Sequence, residues 1–133
     1  MKRTVIVAAG SVALLLCGFG TFRHMNRSME PAEVMRKLSG LRMAVTFFRL
    51  AHSRQPADIG EVIQSGNLEA VPVIKLKRHP SSSRVRNARE PAALDTGGWA
   101  YVSNPESRAF GTVFIDCIHK DERKILERVL TTA

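Results

Sequence analysis

The segment from residue 4 to residue 22, TVIVAAGSVALLLCGFGTF, is nineteen residues long and contains no charged side chain. As an α-helix it would be about 28 Å long, close to the ~30 Å hydrocarbon thickness of a bilayer. Lys2 and Arg3 precede it and Arg23 and Arg27 follow it, so the flanking charges do not decide the orientation. The very short N-terminal tail favours an N-terminus on the cytoplasmic side. We therefore predict a single-pass membrane anchor in contact with lipid, formed mainly by Val5, Ile6, Val7, Val12, Leu14, Leu15, Leu16 and Phe19.

Two other interpretations of this segment stay open. A cleaved signal peptide would fit the basic start, and Gly18 and Gly20 could be the small residues that precede a cut. A lipoprotein would use Cys17, but Leu16 is larger than the small residue expected before a lipidated cysteine. We favour the retained anchor over both.

The length of 133 residues leaves room for one domain after the anchor. We divide the chain into the anchor at 1–22, a polar joint at 23–30 and a globular domain at 31–133. Hydrophobic residues make up 44% of the chain, which excludes wholesale disorder. The formal charge of +8 favours anionic partners such as lipid headgroups.

The globular domain begins with an amphipathic helix. Pro31 suits the first turn, and the pattern predicts an end near His52, before Pro56. We expect its apolar stripe to pack on the protein's own sheet, with part of it able to meet neighbouring helices in an assembly. The stripe consists of Val34, Leu38, Leu41, Val45 and Phe48. A second, short helix is predicted over residues 57–64.

Residues 75–89 are predicted to form a basic loop, because proline and serine interrupt the segment. Its candidate anion-binding residues are Lys75, Lys77, Arg78, Arg84, Arg86 and Arg89. Nucleic acid is a weaker candidate than lipid or solvent, since the segment lacks interleaved aromatic residues on which bases could stack.

The last third of the chain predicts a hairpin. Its strands contain β-branched and aromatic residues, and residues 103–107 have turn chemistry. The predicted hairpin core is Trp99, Tyr101, Val113 and Ile115. The expected fold is α+β: a long N-terminal helix, with a membrane part and an amphipathic part, packed on a small antiparallel sheet with a C-terminal hairpin.

Three motifs follow the amphipathic helix in a fixed order, a Gln-Pro-x-x-Ile segment, a Gly-x-Leu…Pro segment and a Gly-Gly-Trp-x-Tyr hairpin. This order resembles that of the type IV pilin-like proteins, especially the pseudopilins of type II secretion systems, over roughly residues 32–116. The residues that carry the resemblance are Pro56, Ile59, Gly66, Leu68, Pro72, Gly97, Gly98, Trp99, Tyr101, Gly111, Val113 and Ile115.

The resemblance implies a structural subunit or accessory protein of a pilin-like fibre or type II secretion-like assembly. Such a protein acts by membrane anchoring and by docking to other pilin-like subunits or to secretion machinery. It implies a single-pass inner-membrane protein whose C-terminal domain lies in the periplasm or outside the cell.

The chain departs from the family pattern at its start. Gly18-Phe19 follows the apolar run instead of preceding it, and Arg23 stands where the family has a glutamate. The prepilin cleavage motif is therefore not matched, which argues against routine entry as a major fibre subunit. The alternative is a membrane-tethered or exported periplasmic binding module that uses the basic loop for an anionic partner.

The sequence contains no His-Glu-x-x-His, no Gly-x-Ser-x-Gly and no phosphate-binding glycine loop. We therefore expect no enzymatic activity, no cofactor and no small-molecule substrate. Cys117, His119 and Asp121 alternate and would share one strand face. A zinc site needs about four ligands, however, and His79 has no partner at a recognisable spacing. The sequence thus predicts a buried thiol and no metal ligand.

Overall fold

The computed structural model describes residues 28–119, which form an α+β fold with one long helix packed on a three-stranded sheet. The predicted anchor at 1–22, most of the joint at 23–30 and everything after His119 lie outside the described residues. Within residues 28–119, neither helix is sufficiently long and apolar to cross a bilayer.

Helix α1 spans Pro31–His52. Glu30 precedes it in an extended conformation, and the proline at the first helical position has no N–H group to leave unsatisfied. Ser53 ends the helix in the left-handed region, with φ of 55°. The core-facing side chains of α1 are Val34, Leu38, Leu41, Ala44, Val45 and Phe48, which include all five residues of the predicted stripe.

Helix α2 is shorter than the predicted range of 57–64 and spans Ile59–Gln64. Asp58 stands before it in an extended conformation and accepts a hydrogen bond from the backbone N–H of Glu61 at 3.1 Å. This cap fixes the helix start two residues later than the composition suggests. Gly66 follows the helix with φ of +77°, a conformation that suits glycine.

The sheet contains β1 at Val85–Ala88, β2 at Trp99–Val102 and β3 at Val113–Ile115, in that spatial order. Strand β2 pairs with β3 antiparallel, as in the predicted hairpin, but β1 pairs with β2 parallel. The expectation of an antiparallel sheet is therefore wrong: the sheet is mixed. The expectation of an irregular loop is also wrong over Val85–Ala88, because these residues form strand β1. Within this strand, Arg86 forms an ion pair with a buried acid instead of being simply solvated.

Strand β2 is buried on both faces. One face contacts the core under α1 through Trp99 and Tyr101. The other face packs Ala100 and Val102 in a smaller cluster with Phe114. A strand covered on both sides loses the alternation of polar and apolar residues, which explains its continuous apolar sequence. The predicted hairpin core residues Trp99, Tyr101, Val113 and Ile115 all lie in the larger cluster.

Two side chains of β2 tie irregular segments to the sheet. Trp99 donates from Nε1 to the carbonyl oxygen of Pro72 at 2.8 Å, and Tyr101 donates from its hydroxyl to the carbonyl oxygen of Pro56 at 2.5 Å. At the outer edge of β3, Arg42 of α1 donates from Nε to the carbonyl oxygen of Val113 at 3.0 Å.

Candidate functional site

The solvent-facing side of α1 carries a second apolar stripe. Met43, Phe47 and Leu50 are 57%, 53% and 69% exposed, and their spacing of four and three places them on one helix face. Gly40 continues this face by one turn. We call Gly40, Met43, Phe47 and Leu50 the exposed stripe. It lies roughly opposite the buried stripe, so the helix is apolar on two sides.

A groove of about 310 Å³ runs beside the exposed stripe. The helix contributes Gly40, Met43 and Phe47 to one wall, and the segment after α2 contributes Leu68 and Pro72 to the other. Contiguous exposed apolar surface of this kind marks interaction sites on soluble domains.

The six basic residues of 75–89 are not equivalent. Lys75, Lys77 and Arg78 line an open polar pocket of about 480 Å³ together with Ser28. Arg84 and Arg89 are exposed to solvent. Arg86 instead points into the protein, where its guanidinium binds Asp116 with an Nε–Oδ2 distance of 2.7 Å. The segment therefore combines basic residues at the surface with the Arg86–Asp116 ion pair.

Asp116 follows β3 and is completely buried. Besides the two hydrogen bonds from Arg86, its carboxylate accepts one from the Leu94 N–H at 2.6 Å and one from the Thr96 hydroxyl at 2.7 Å. Burial alone would raise the pKa of Asp116, but the hydrogen bonds from Arg86, Thr96 and Leu94 outweigh it and lower that pKa. The carboxylate thus holds the loop before β2 against the end of β3.

Near Asp116, four side chains from three separate segments of the chain come together: His79, Asp95, Cys117 and His119. Nε2 of His79 lies 3.5 Å from Sγ of Cys117 and 3.2 Å from Oδ1 of Asp95. Nδ1 of His119 lies 3.1 Å from the same sulfur and 3.4 Å from the same oxygen. All four atoms lie within 4.8 Å of one another. We call these four residues the His/Asp/Cys cluster.

The backbone around the cluster is held in unusual conformations. Arg78 and Asp95 have φ of 68° and 64°, which few residues other than glycine adopt. Gly97 has φ of +74°, and a Cβ added there would lie 2.5 Å from Cγ of His79. The glycine is therefore required for the imidazole of His79 to reach the other three groups.

The surroundings of Asp95 lower the pKa of its carboxyl group and so favour the charged form. The Ile118 N–H donates to its Oδ1 at 3.1 Å and makes the largest contribution to lowering the pKa of Asp95; Cys117, His119 and His79 lower it further. Asp95 is therefore ionised at neutral pH.

A catalytic Cys–His–Asp arrangement does not fit this geometry. In such a triad one imidazole nitrogen faces the nucleophile and the other nitrogen faces the carboxylate. Here a single nitrogen of each histidine faces both Cys117 and Asp95. Cys117 is also only 4% exposed, which leaves little access for a substrate. The four atoms instead lie within 4.8 Å of one another.

Sequence spacing did not reveal the contact of His79, because the residue lies 38 positions from Cys117 in sequence although its Nε2 lies 3.5 Å from the sulfur. The alternation of Cys117 and His119 was the one local signal. Asp121, the third residue of that alternation, lies outside the described residues, and the carboxylate in the cluster comes from Asp95 instead.

Comparison of the chain with protein-family models, with curated proteins and with solved structures gives no match.

Proposed function

We propose that the protein is a pilin-like or pseudopilin-like subunit that works by contact and placement and not by catalysis. In this proposal residues 1–22 anchor it in the inner membrane as a single pass. The α+β domain lies in the periplasm or outside the cell and docks to other subunits or to a secretion machine.

The observation that carries the proposal is the exposed stripe of α1. Met43, Phe47 and Leu50 each leave more than half of their surface in water, although the same helix already buries a full stripe in its own core. Burying such surface against a partner yields about 25 cal/mol per Å² of apolar area. Its occupant in our proposal is the corresponding face of a second pilin-like subunit.

The proposed anchor supports this choice of partner. Copies held in one membrane with a common orientation meet at a raised effective concentration, so a modest apolar patch suffices for lateral contact. Helix α1 begins only a short joint after residue 22, and its exposed stripe runs along the helix axis. The order of motifs from Pro56 to Ile115 agrees with the same family.

Site-directed crosslinking in membranes tests the proposal. In a Cys17→Ser background, we would introduce Phe47→Cys in the exposed stripe and, as a matched control, Asn87→Cys on the exposed part of β1. A thiol-specific crosslinker should join the Phe47→Cys chains, to each other or to another subunit, and leave the Asn87→Cys chains monomeric. Equal yields at the two positions, or none at position 47, would rule out docking through the stripe.

Mass spectrometry of the mature N-terminus tests the anchor separately. An intact N-terminus in the membrane fraction supports the proposal. A cut after Gly20 would remove the apolar segment and favour the second candidate function.

That second candidate is a membrane-tethered or exported module that binds an anionic partner. The polar pocket lined by Lys75, Lys77 and Arg78 favours it. Reversing the charges of Lys77 and Arg78 should then abolish binding to vesicles that contain anionic lipid, whereas Arg84→Glu should have a smaller effect. Equal loss in both variants would indicate only general attraction to net charge.

A further inference from the structure

We propose that the His/Asp/Cys cluster is a tetrahedral Zn²⁺ site that locks the end of the sheet. The ligand atoms are Nε2 of His79, Oδ1 of Asp95, Sγ of Cys117 and Nδ1 of His119. The cluster shares no residue with the exposed stripe, so this inference stands apart from the proposed function.

The distances between ligand atoms fit a tetrahedron around zinc. Bonds of about 2.0–2.3 Å hold neighbouring ligand atoms about 3.3–3.8 Å apart in that geometry. Four of the six separations are 3.1, 3.2, 3.4 and 3.5 Å, and the other two are no longer than 4.8 Å. An ion would therefore fit after small movements of the four side chains.

The ligand set selects the kind of ion. Two imidazole nitrogens and one thiolate suit Zn²⁺, whereas Ca²⁺ and Mg²⁺ take oxygen ligands. The charges also balance, because one thiolate and the carboxylate of Asp95 together neutralise a divalent ion. A neutral assembly avoids the high cost of burying net charge beside Cys117, which is 4% exposed.

Outer contacts hold the ligands in place, as in established zinc sites. The Ile118 N–H fixes Asp95, and Gly97 leaves the space that His79 occupies. Asp116 binds the N–H of Leu94 and the hydroxyl of Thr96, which flank Asp95. The loop that carries Asp95 is thereby positioned beside Cys117.

The site connects three segments that are separate in sequence. His79 belongs to the loop between Ile74 and Ser82, Asp95 to the loop before β2, and Cys117 and His119 to the chain after β3. Four protein ligands leave no open position, which is typical of structural zinc. In a domain of this size, an ion that binds the folded state adds directly to its stability.

The test uses the full chain in detergent, stripped with a chelator and then titrated with Zn²⁺ or Co²⁺. We expect one ion per chain, a higher melting temperature with Zn²⁺, and a Co²⁺ spectrum with strong tetrahedral bands and a thiolate-to-metal charge-transfer band. No stoichiometric binding, or a Co²⁺ spectrum without the thiolate band, would overturn the proposal.

Ligand variants locate the site. Cys117→Ser and His79→Gln should each weaken Zn²⁺ binding by more than about 100-fold. Loss of a residue that only supports a ligand costs up to about 100-fold, and loss of a ligand itself should cost more. Cys17→Ser and His52→Gln are matched controls, since neither residue belongs to the cluster, and they should bind as the parent does. Parental affinity in both cluster variants would overturn the proposal. If those variants fail to fold, the Co²⁺ spectrum of the parent decides by itself.

Discussion

The guanidinium of Arg86 donates two hydrogen bonds to the buried carboxylate of Asp116, from Nε to Oδ2 at 2.7 Å and from Nη2 to Oδ1 at 3.0 Å. The pair joins strand β1 to the residue that follows β3, with β2 between them. A cation from one edge strand thus neutralises the most buried acid among residues 28–119.

Removing one partner of this pair should be costly. Arg86→Gln leaves a buried carboxylate without its counter-ion, and we expect the free energy of unfolding to fall by about 3 kcal/mol. Arg84→Gln, at an exposed position two residues away, should change it by less than about 0.5 kcal/mol. Denaturant titrations in the presence of a chelator measure both. Similar stabilities for the two variants would contradict a structural role for the pair.

Tyr101 should resist ionisation. Burial raises its pKa, and the nearby Glu61 and Asp58 raise it further. The folded state therefore holds the phenolic proton above the ordinary value of 10.0, and stability declines as the pH rises beyond that value. Tyr101 is the only tyrosine in the chain, so tyrosinate absorbance reports on it alone. We expect this signal to appear together with unfolding. Titration of the folded protein near the ordinary value would refute the prediction.

Two glycines should respond in opposite ways to alanine. Gly111 has φ of +88°, and an added Cβ would clash with the side-chain carboxamide of Gln55, so Gly111→Ala should lower the melting temperature. Gly40 lies inside α1 with no atom within 4 Å of an added Cβ, so Gly40→Ala should stabilise the fold by up to about 1 kcal/mol. Thermal unfolding of both variants checks the signs.

The cap of α2 offers a further test. Asp58→Ala removes the acceptor for the Glu61 N–H and should cost about 1 kcal/mol, whereas Asp58→Ser should retain most of the stability. Chemical denaturation of the two variants measures the difference. If serine proved as damaging as alanine, the carboxylate would have some role other than capping.

Local patterns in the sequence predicted the parts of the fold that depend on local spacing. The stripe from Val34 to Phe48 has helical periodicity, and the strands with Trp99 and Val113 have β-branched and aromatic composition, so both are readable from neighbouring residues. Strand β1 is different, because its parallel pairing with β2 depends on a partner that follows a loop. In the sequence, Arg86 cannot be distinguished from the neighbouring solvated arginines, because only the fold brings Asp116 next to it.

The His/Asp/Cys cluster escaped prediction for the same reason. His79, Asp95 and Cys117 are far apart in sequence, and only the loops around Gly97 and Asp116 bring them together. The exposed stripe was also missed, since Met43, Phe47 and Leu50 resemble core residues and only the placement of the sheet decides which side of α1 is covered.

Arg42 has a consequence for how copies of this domain can associate. Strand β3 is an edge strand of the sheet in the described residues, and an exposed edge strand can pair with strands from other molecules. The Arg42 guanidinium already occupies the outward carbonyl of Val113. A strand that paired with this edge would first have to displace the Arg42 side chain, and the guanidinium would lose its hydrogen bond to Val113. Association of copies by strand addition is therefore disfavoured at this edge of the sheet.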